Sequence, residues 1–164
     1  MNKIDLTKAQ FNAFNSIGNN WMIIGACDGE RKNAMTASWG AVGVMWGKNV
    51  FYCHIRPQRY TYTIVENTDI LTLSVFDGAY KKQLSYFGSV SGKDEDKLAN
   101  GGLNYICDDK KLFFPDAKYI FIGKKIYAFD ISPECIIDPA ITSHYTRSDY
   151  HRTYICEILE AFEK

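Results

Sequence analysis

Two arginines three residues apart, Arg56 and Arg59, with Pro57 between them and the hydroxyl of Thr61 just beyond, are the side chains in this chain best suited to hold an anion. Guanidinium groups fork toward paired oxygens, and charge-assisted bonds to phosphate are among the strong ones. Their spacing needs a particular backbone. In a continuous strand, residues three apart face opposite sides. A strand ending near Arg56, followed by a helix that Pro57 opens, brings both cations to one side of a helix N-terminus, whose free amides also favour a phosphate monoester. The alternative is that both arginines pair with surface carboxylates, and this stretch does not separate the two readings.

A second stretch, Gly88 to Asp94, has related chemistry. Ser89, Ser91, Gly92 and Lys93 form a hydroxyl-rich loop ahead of a helix start, which favours an anion. An ordinary capped helix, with Ser91 to Asp94 as its capping box, explains the same residues. The stretch is not a nucleotide-binding P-loop, because it has one residue too few between the glycines and Asp94 stands where Ser or Thr would meet magnesium. Val90 occupies the place a nucleophilic serine would need. No Gly-x-Gly-x-x-Gly occurs, so a dinucleotide would have to bind without a Rossmann unit. Lys97, one turn on, reads as a solvated charge.

The three histidines, His54, His144 and His151, lack metal-ligand spacing among themselves and with the acids, so no metal centre is expected. His151 reads as a polar surface or interface residue that could also act near a redox ring, since imidazole donates or carries charge near neutral pH. Asn33, Ala34, Met35, Thr36, Ala37 and Ser38, leading to Trp39, combine small residues with hydroxyls. Small side chains let a flat ligand approach the backbone N–H groups. Close packing of neighbouring strands would select the same residues.

The elements that must position these groups are mostly strands. Trp21 to Cys27 is a compact apolar run closed by Asp28-Gly29, a hairpin dipeptide, so Asn33 to Trp39 returns beside it. Ala41 to Trp46 is small and apolar, Gly47-Lys48-Asn49 turns the chain, and Val50 to Ile55 leads into the arginines. Asp69 to Val75, Tyr119 to Ile131 and Tyr150 to Leu159 read as further strands. Leu6 to Phe14 is expected as a short helix with Leu6, Phe11 and Phe14 partly buried. Tyr80 to Phe87 is expected as a helix that Gly88 ends, and a further short one closes at Gly101-Gly102. Short strands interrupted by a few short helices predict a mainly β closed or nearly closed barrel.

The 164 residues suffice for one domain, residues 1–164, with a core that needs no disulfide or metal. Formal charge is zero, which argues against nucleic acid as a partner. Five scattered cysteines without a Cys-x-x-Cys pair read as reduced thiols. No apolar run reaches the ~20 residues of a membrane span, so the expectation is a soluble, cytoplasmic protein with no membrane partner.

Trp21, Asn33 to Trp39, Arg56 to Thr61, Leu71 to Val75, Gly88 to Lys97 and Asp149-Tyr150-His151, in this order, resemble the flavin reductase-like family of FMN-binding split barrels. The resemblance implies a Greek-key split β-barrel acting as a homodimer. It implies FMN with its ring along Asn33 to Ser38 and its phosphate held by Arg56, Arg59 and Thr61, with help from Ser89, Ser91, Gly92, Lys93 and Lys97. It also implies hydride transfer from NADH or NADPH to the flavin and on to a second flavin or a redox-protein acceptor, with His151 lining the nicotinamide side as the catalytic candidate. A non-enzymatic FMN electron carrier, reduced by a partner protein, needs the same cradle and stays open. Lys93 stands where many relatives carry Arg.

Overall fold

The computed structural model describes residues 1–164. Ten strands, β1 (Asn2–Lys3), β2 (Met22–Cys27), β3 (Lys32–Ala37), β4 (Gly40–Met45), β5 (Lys48–Ile55), β6 (Ile70–Val75), β7 (Ile106–Asp108), β8 (Lys111–Phe113), β9 (Tyr119–Asp130) and β10 (Arg152–Glu163), are joined by three short α-helices, α1 (Tyr60–Val65), α2 (Lys81–Ser89) and α3 (Lys97–Asn100). The main sheet runs β3-β2-β6-β9-β10-β5-β4, with β1 on β10, and β7-β8 form a separate hairpin. Its two outer strands, β3 and β4, are consecutive in the chain and unpaired with each other, so the sheet is left open where Ser38 and Trp39 link them. The mainly β expectation holds.

Both faces of this sheet are covered, which is why β2 reads as an unbroken apolar run. Met22, Ile24, Leu71, Leu73, Phe51, Phe121 and Tyr154 fill one core. Ile23, Ala34, Ile120 and Ile122 point the other way, onto Leu84 and Phe87 of α2, Leu98 of α3 and Leu112 of β8. On that face Thr72 and Ser74 of β6 bond the covering segment, Thr72 Oγ1 to the Leu112 carbonyl and Ser74 Oγ accepting from Phe114 N–H at 3.2 Å. The β-hairpin at Asp28-Gly29 forms as expected, with Gly29 at φ 103° and Asp28 Oδ1 accepting from Arg31 N–H at 2.7 Å.

Several boundaries differ from the sequence expectation. Leu6 to Phe14 is not a helix; a helical turn of π type spans Phe14–Asn20 instead. Leu6 and Phe11 do pack against the core, but Phe14 is 93% exposed. The β4-β5 turn is Trp46-Gly47, both at positive φ, and Lys48 and Asn49 already pair in the ladder. Gly88 lies inside α2, which runs on to Ser89, so it does not end the helix; a Cβ there would sit in van der Waals contact with Thr36. The cap of α3 is Asp96, whose carboxylate accepts from Leu98 and Ala99 N–H, while Ser91 closes a turn before it. No helix is long and apolar enough to cross a membrane.

Candidate active site

The two arginines do not share a helix N-terminus. Residues Arg56-Pro57-Gln58-Arg59 form a turn, closed by Arg59 N–H to the Arg56 carbonyl at 3.0 Å, and α1 begins only at Tyr60, with Arg59 as its extended N-cap. Pro57 thus serves the turn and not the first helical position. The two side chains leave this turn for different partners. Arg56 bonds Asp149 Oδ2 through Nη1 and the His144 carbonyl through Nη2 at 2.8 Å, and its guanidinium lies 5.4 Å from the Tyr145 ring centre. Gln58 Nε2 adds a bond to the same Asp149 oxygen at 2.7 Å. Arg59 Nη2 donates to the Gly88 carbonyl at 2.8 Å.

Lys97 is the second cation beside Arg59, and it is not solvated: it is 2% exposed, with Nζ donating to the Phe87 carbonyl at 2.8 Å. Both cations therefore hold consecutive carbonyls at the C-terminal end of α2, where the helix dipole favours positive charge. Neither has a carboxylate partner within salt-bridge distance. Burial and the Arg59 charge push the Lys97 ammonium down to about 8. Each keeps unused N–H donors, since Arg carries five and Lys three.

These cations border a cavity of about 230 Å³ that also takes in Asn33, Thr61, Ser89, Ser91 and Gly92. Asn33 Nδ2 donates to Thr61 Oγ1 at 2.9 Å, tying β3 to α1. Gly92 has no room for a side chain: a Cβ would stand 2.5 Å from Asn33 Oδ1 and 2.8 Å from Tyr60 Cδ1. Ser91 Oγ accepts from Lys93 N–H at 3.2 Å, and Ser89 Oγ donates to the Ser85 carbonyl at 2.9 Å. Lys93 itself lines the neighbouring cavity beside Arg31 and Lys32, and it is exposed.

Arg59 also borders a second cleft of about 270 Å³, running along Met35, Thr36 and Ala37 to Ser38, Trp39, His54, Arg56 and His151. Ala34 is excluded from it, its side chain fully buried in the opposite core. Here His151 is 9% exposed, and burial, with the Arg56 and His54 charges added, pushes its imidazole down to about 4. His151 Nδ1 meets Tyr145 Oη at 3.1 Å and its ring lies 5.0 Å from that of Trp39. His54 Nδ1 meets Thr153 Oγ1 at 2.9 Å, and burial lowers its pKa too.

The structure thus brings Asn33, Thr61, Arg59, Ser89, Ser91, Gly92 and Lys97 to one cavity, Met35 to Ser38, Arg56 and His151 to the adjoining cleft, and leaves Ala34 and Lys93 outside both. Trp39 and His54 are lining residues that the sequence reading did not select. Trp39 ended the stretch of small residues; nothing in the sequence places His54 opposite His151.

Residues 14–127, well over half of the chain, match the family model described as the flavin reductase like domain. No curated protein matches by sequence. Among solved structures, the chain is similar to an FMN-binding domain of a flavin reductases-like enzyme from Shewanella baltica OS155 (TM-score 0.70, 18% identity, 99% of this chain and 76% of that one). It is similar to flavoredoxin of Desulfovibrio vulgaris (Miyazaki F) (0.68, 22%, 88% and 69%). It is also similar to an NADH:FAD oxidoreductase of Streptomyces globisporus C-1027 (0.67, 11%, 88% and 75%). At these identities the likeness establishes the fold, a split barrel.

Proposed function

This chain belongs to the flavin reductase-like family, and from that premise we propose that it binds FMN in the two joined cavities and works as an NAD(P)H-dependent flavin oxidoreductase. The observation that carries the reading is the pair of cations at the end of α2: Arg59 and Lys97, the lysine buried, share a hydroxyl-lined cavity with no carboxylate to neutralise them. A phosphate monoester supplies the missing charge, and Thr61, Ser89 and Ser91 add hydroxyls. The donor set fits the group. The adjoining cleft, walled by the small residues Ala37 and Ser38 of the β3 end, suits a flat ring.

FMN bound there supplies two-electron chemistry, taking a hydride from a nicotinamide and passing the electrons to an acceptor. The protein's part is to hold and select. Arg59 and Lys97 would anchor the phosphate, Asn33 and Gly92 keep that end of the cavity narrow, and the end of β3 would wall the ring. His151, uncharged at neutral pH and fixed by Tyr145, lines the side a nicotinamide would approach. A second copy of the chain is proposed to cover the apolar strip of Val44 and Trp46 on the β4-β5 hairpin beside Tyr127 and Phe129 of β9, all exposed in the single chain.

The test is the visible spectrum of the purified protein supplied with FMN, sized by light scattering, before and after anaerobic NADH or NADPH. The expected result is a dimer that retains one flavin per chain and bleaches within the mixing time. Flavin bands that persist with both nucleotides would favour the partner-reduced electron carrier, and absence of bound flavin would overturn the phosphate assignment.

A further inference from the structure

We propose that His54 and His151 form a two-donor clamp for an oxygen anion carried on a planar conjugated ring, of the kind that phenols bear and quinones acquire as they are reduced. The clamp rests on the flavin reading only in that the ligand's ring would stack on the flavin along β3.

The two imidazoles are 97 residues apart in the sequence, one on β5 and one just before β10, and meet across one cleft, with ring centres 6.4 Å apart. In each ring the same nitrogen is occupied. His54 Nδ1 is held by Thr153 Oγ1 at 2.9 Å and His151 Nδ1 by Tyr145 Oη at 3.1 Å, and the Tyr145 hydroxyl has no other partner. A phenol is a better proton donor than a neutral imidazole, so Tyr145 donates to His151 Nδ1, and the imidazole proton then resides on Nε2. The clamp takes the Thr153 hydroxyl as the donor to His54 Nδ1, which puts the His54 proton on Nε2 as well, and the histidine nitrogen resonances read that tautomer directly. Neither Nε2 has a protein partner, and neither is a sealed-off orphan, so both open to the cleft.

Two N–H donors aimed into one cavity need an acceptor, and the surroundings select a negative one. Arg56 and Arg59 line the same cleft. Arg56 is paired with Asp149, which leaves Arg59 as the unpaired charge. Both histidines are uncharged at neutral pH, so the clamp contributes donors without contributing a full positive charge. Trp39, packed 5.0 Å from the His151 ring and 5.2 Å from His144, gives the cleft an aromatic wall suited to a flat ligand.

The probe is 4-nitrophenol, with 4-nitroanisole, the same ring lacking an ionisable oxygen, as control. Binding is followed at pH 7 by the yellow nitrophenolate band and by calorimetry, on protein with and without FMN. Nitrogen resonances of ¹⁵N-histidine-labelled wild type are recorded in parallel. The expected result is that nitrophenol binds as the anion, nitroanisole does not bind, and two of the three histidines shift at Nε2. His54→Leu and His151→Leu should each weaken nitrophenol binding by about tenfold to a hundredfold, the size expected for a lost bond to a charged group. If nitroanisole binds as well as nitrophenol, or if neither histidine shifts, the clamp is wrong. The resonances decide this on wild type even where a variant misfolds. Failure of wild type to retain FMN would sink the flavin reading alone, because the titrations of flavin-free protein still decide the clamp.

Discussion

The two arginines of one four-residue turn do opposite work, and the contrast organises the site. Arg56 is spoken for: Asp149, Gln58, the His144 carbonyl and the Tyr145 ring lock it against the loop before β10. Its charge is largely neutralised where it stands, and its structural effect is to fix the wall that carries His151. Arg59 is held only by a helix-end carbonyl, next to a buried lysine held the same way. A fold gains nothing from two adjacent cations, one of them buried, without a counter-ion. The arrangement is tolerable to the extent that a ligand completes it, so one end of the cleft is built for stability and the other for occupancy.

The contrast breaks most sharply if both unpaired cations are removed. Arg59→Ala with Lys97→Met should lower FMN affinity by at least about a hundredfold, since each charge-assisted bond is worth roughly 1.5–3 kcal/mol. The flavin-free double variant should melt no lower than wild type, because it loses a buried charge conflict. Fluorescence titration and thermal melts of the same samples check both halves. Retained affinity, or a collapse of the flavin-free fold, would show that these cations are structural.

Arg56→Gln should do the reverse. Removing it leaves the Asp149 carboxylate, whose Oδ1 already lacks a partner, without its cation, and should lower stability. FMN affinity should fall far less than in the Arg59 and Lys97 double variant, because Arg56, although it lines the same cleft, is already held by Asp149. Denaturant melts and flavin titration separate the outcomes; a large loss of affinity at unchanged stability would return Arg56 to the phosphate.

How far the sequence showed this depends on the range of the forces involved. The strands and the Asp28-Gly29 hairpin were legible because alternation and turn chemistry are local. Arg56, Arg59 and Thr61 were legible together as candidate anion ligands by residue type. The division of labour between Arg56 and Arg59 was not, because Asp149 lies 93 residues away and nothing local announces the pairing. Lys97 looked solvated because it follows four charged or polar residues, Lys93 to Asp96; it is buried because a four-residue helix capped by Asp96 turns it onto the end of α2. His54 was weighed only as a metal ligand and set aside; its place in the cleft is set by Thr153 and by a histidine 97 residues away.

The smallest expected effect is also the most specific to the unpaired end. In the flavin-free protein the Lys97 ammonium titrates at about 8, against 10.5 for the free side chain. Folding therefore lowers its pKa, the unfolded chain binds more protons between those values, and stability of the flavin-free protein should rise as pH increases through that window. A phosphate dianion favours the ammonium and restores its pKa. FMN binding above pH 8 must then take up a proton, and affinity should fall with pH in the same window where the empty fold becomes more stable. Between pH 7 and pH 9 the loss should be about tenfold for one proton. The phosphate is doubly charged throughout and contributes nothing to the slope. Fluorescence titrations across that range should show the decline in wild type and its absence in Lys97→Met, provided the latter is followed at flavin concentrations matched to its weaker binding. A wild-type affinity independent of pH, or an equal decline in both proteins, would mean that the proton is taken up elsewhere and that Lys97 does not face the phosphate.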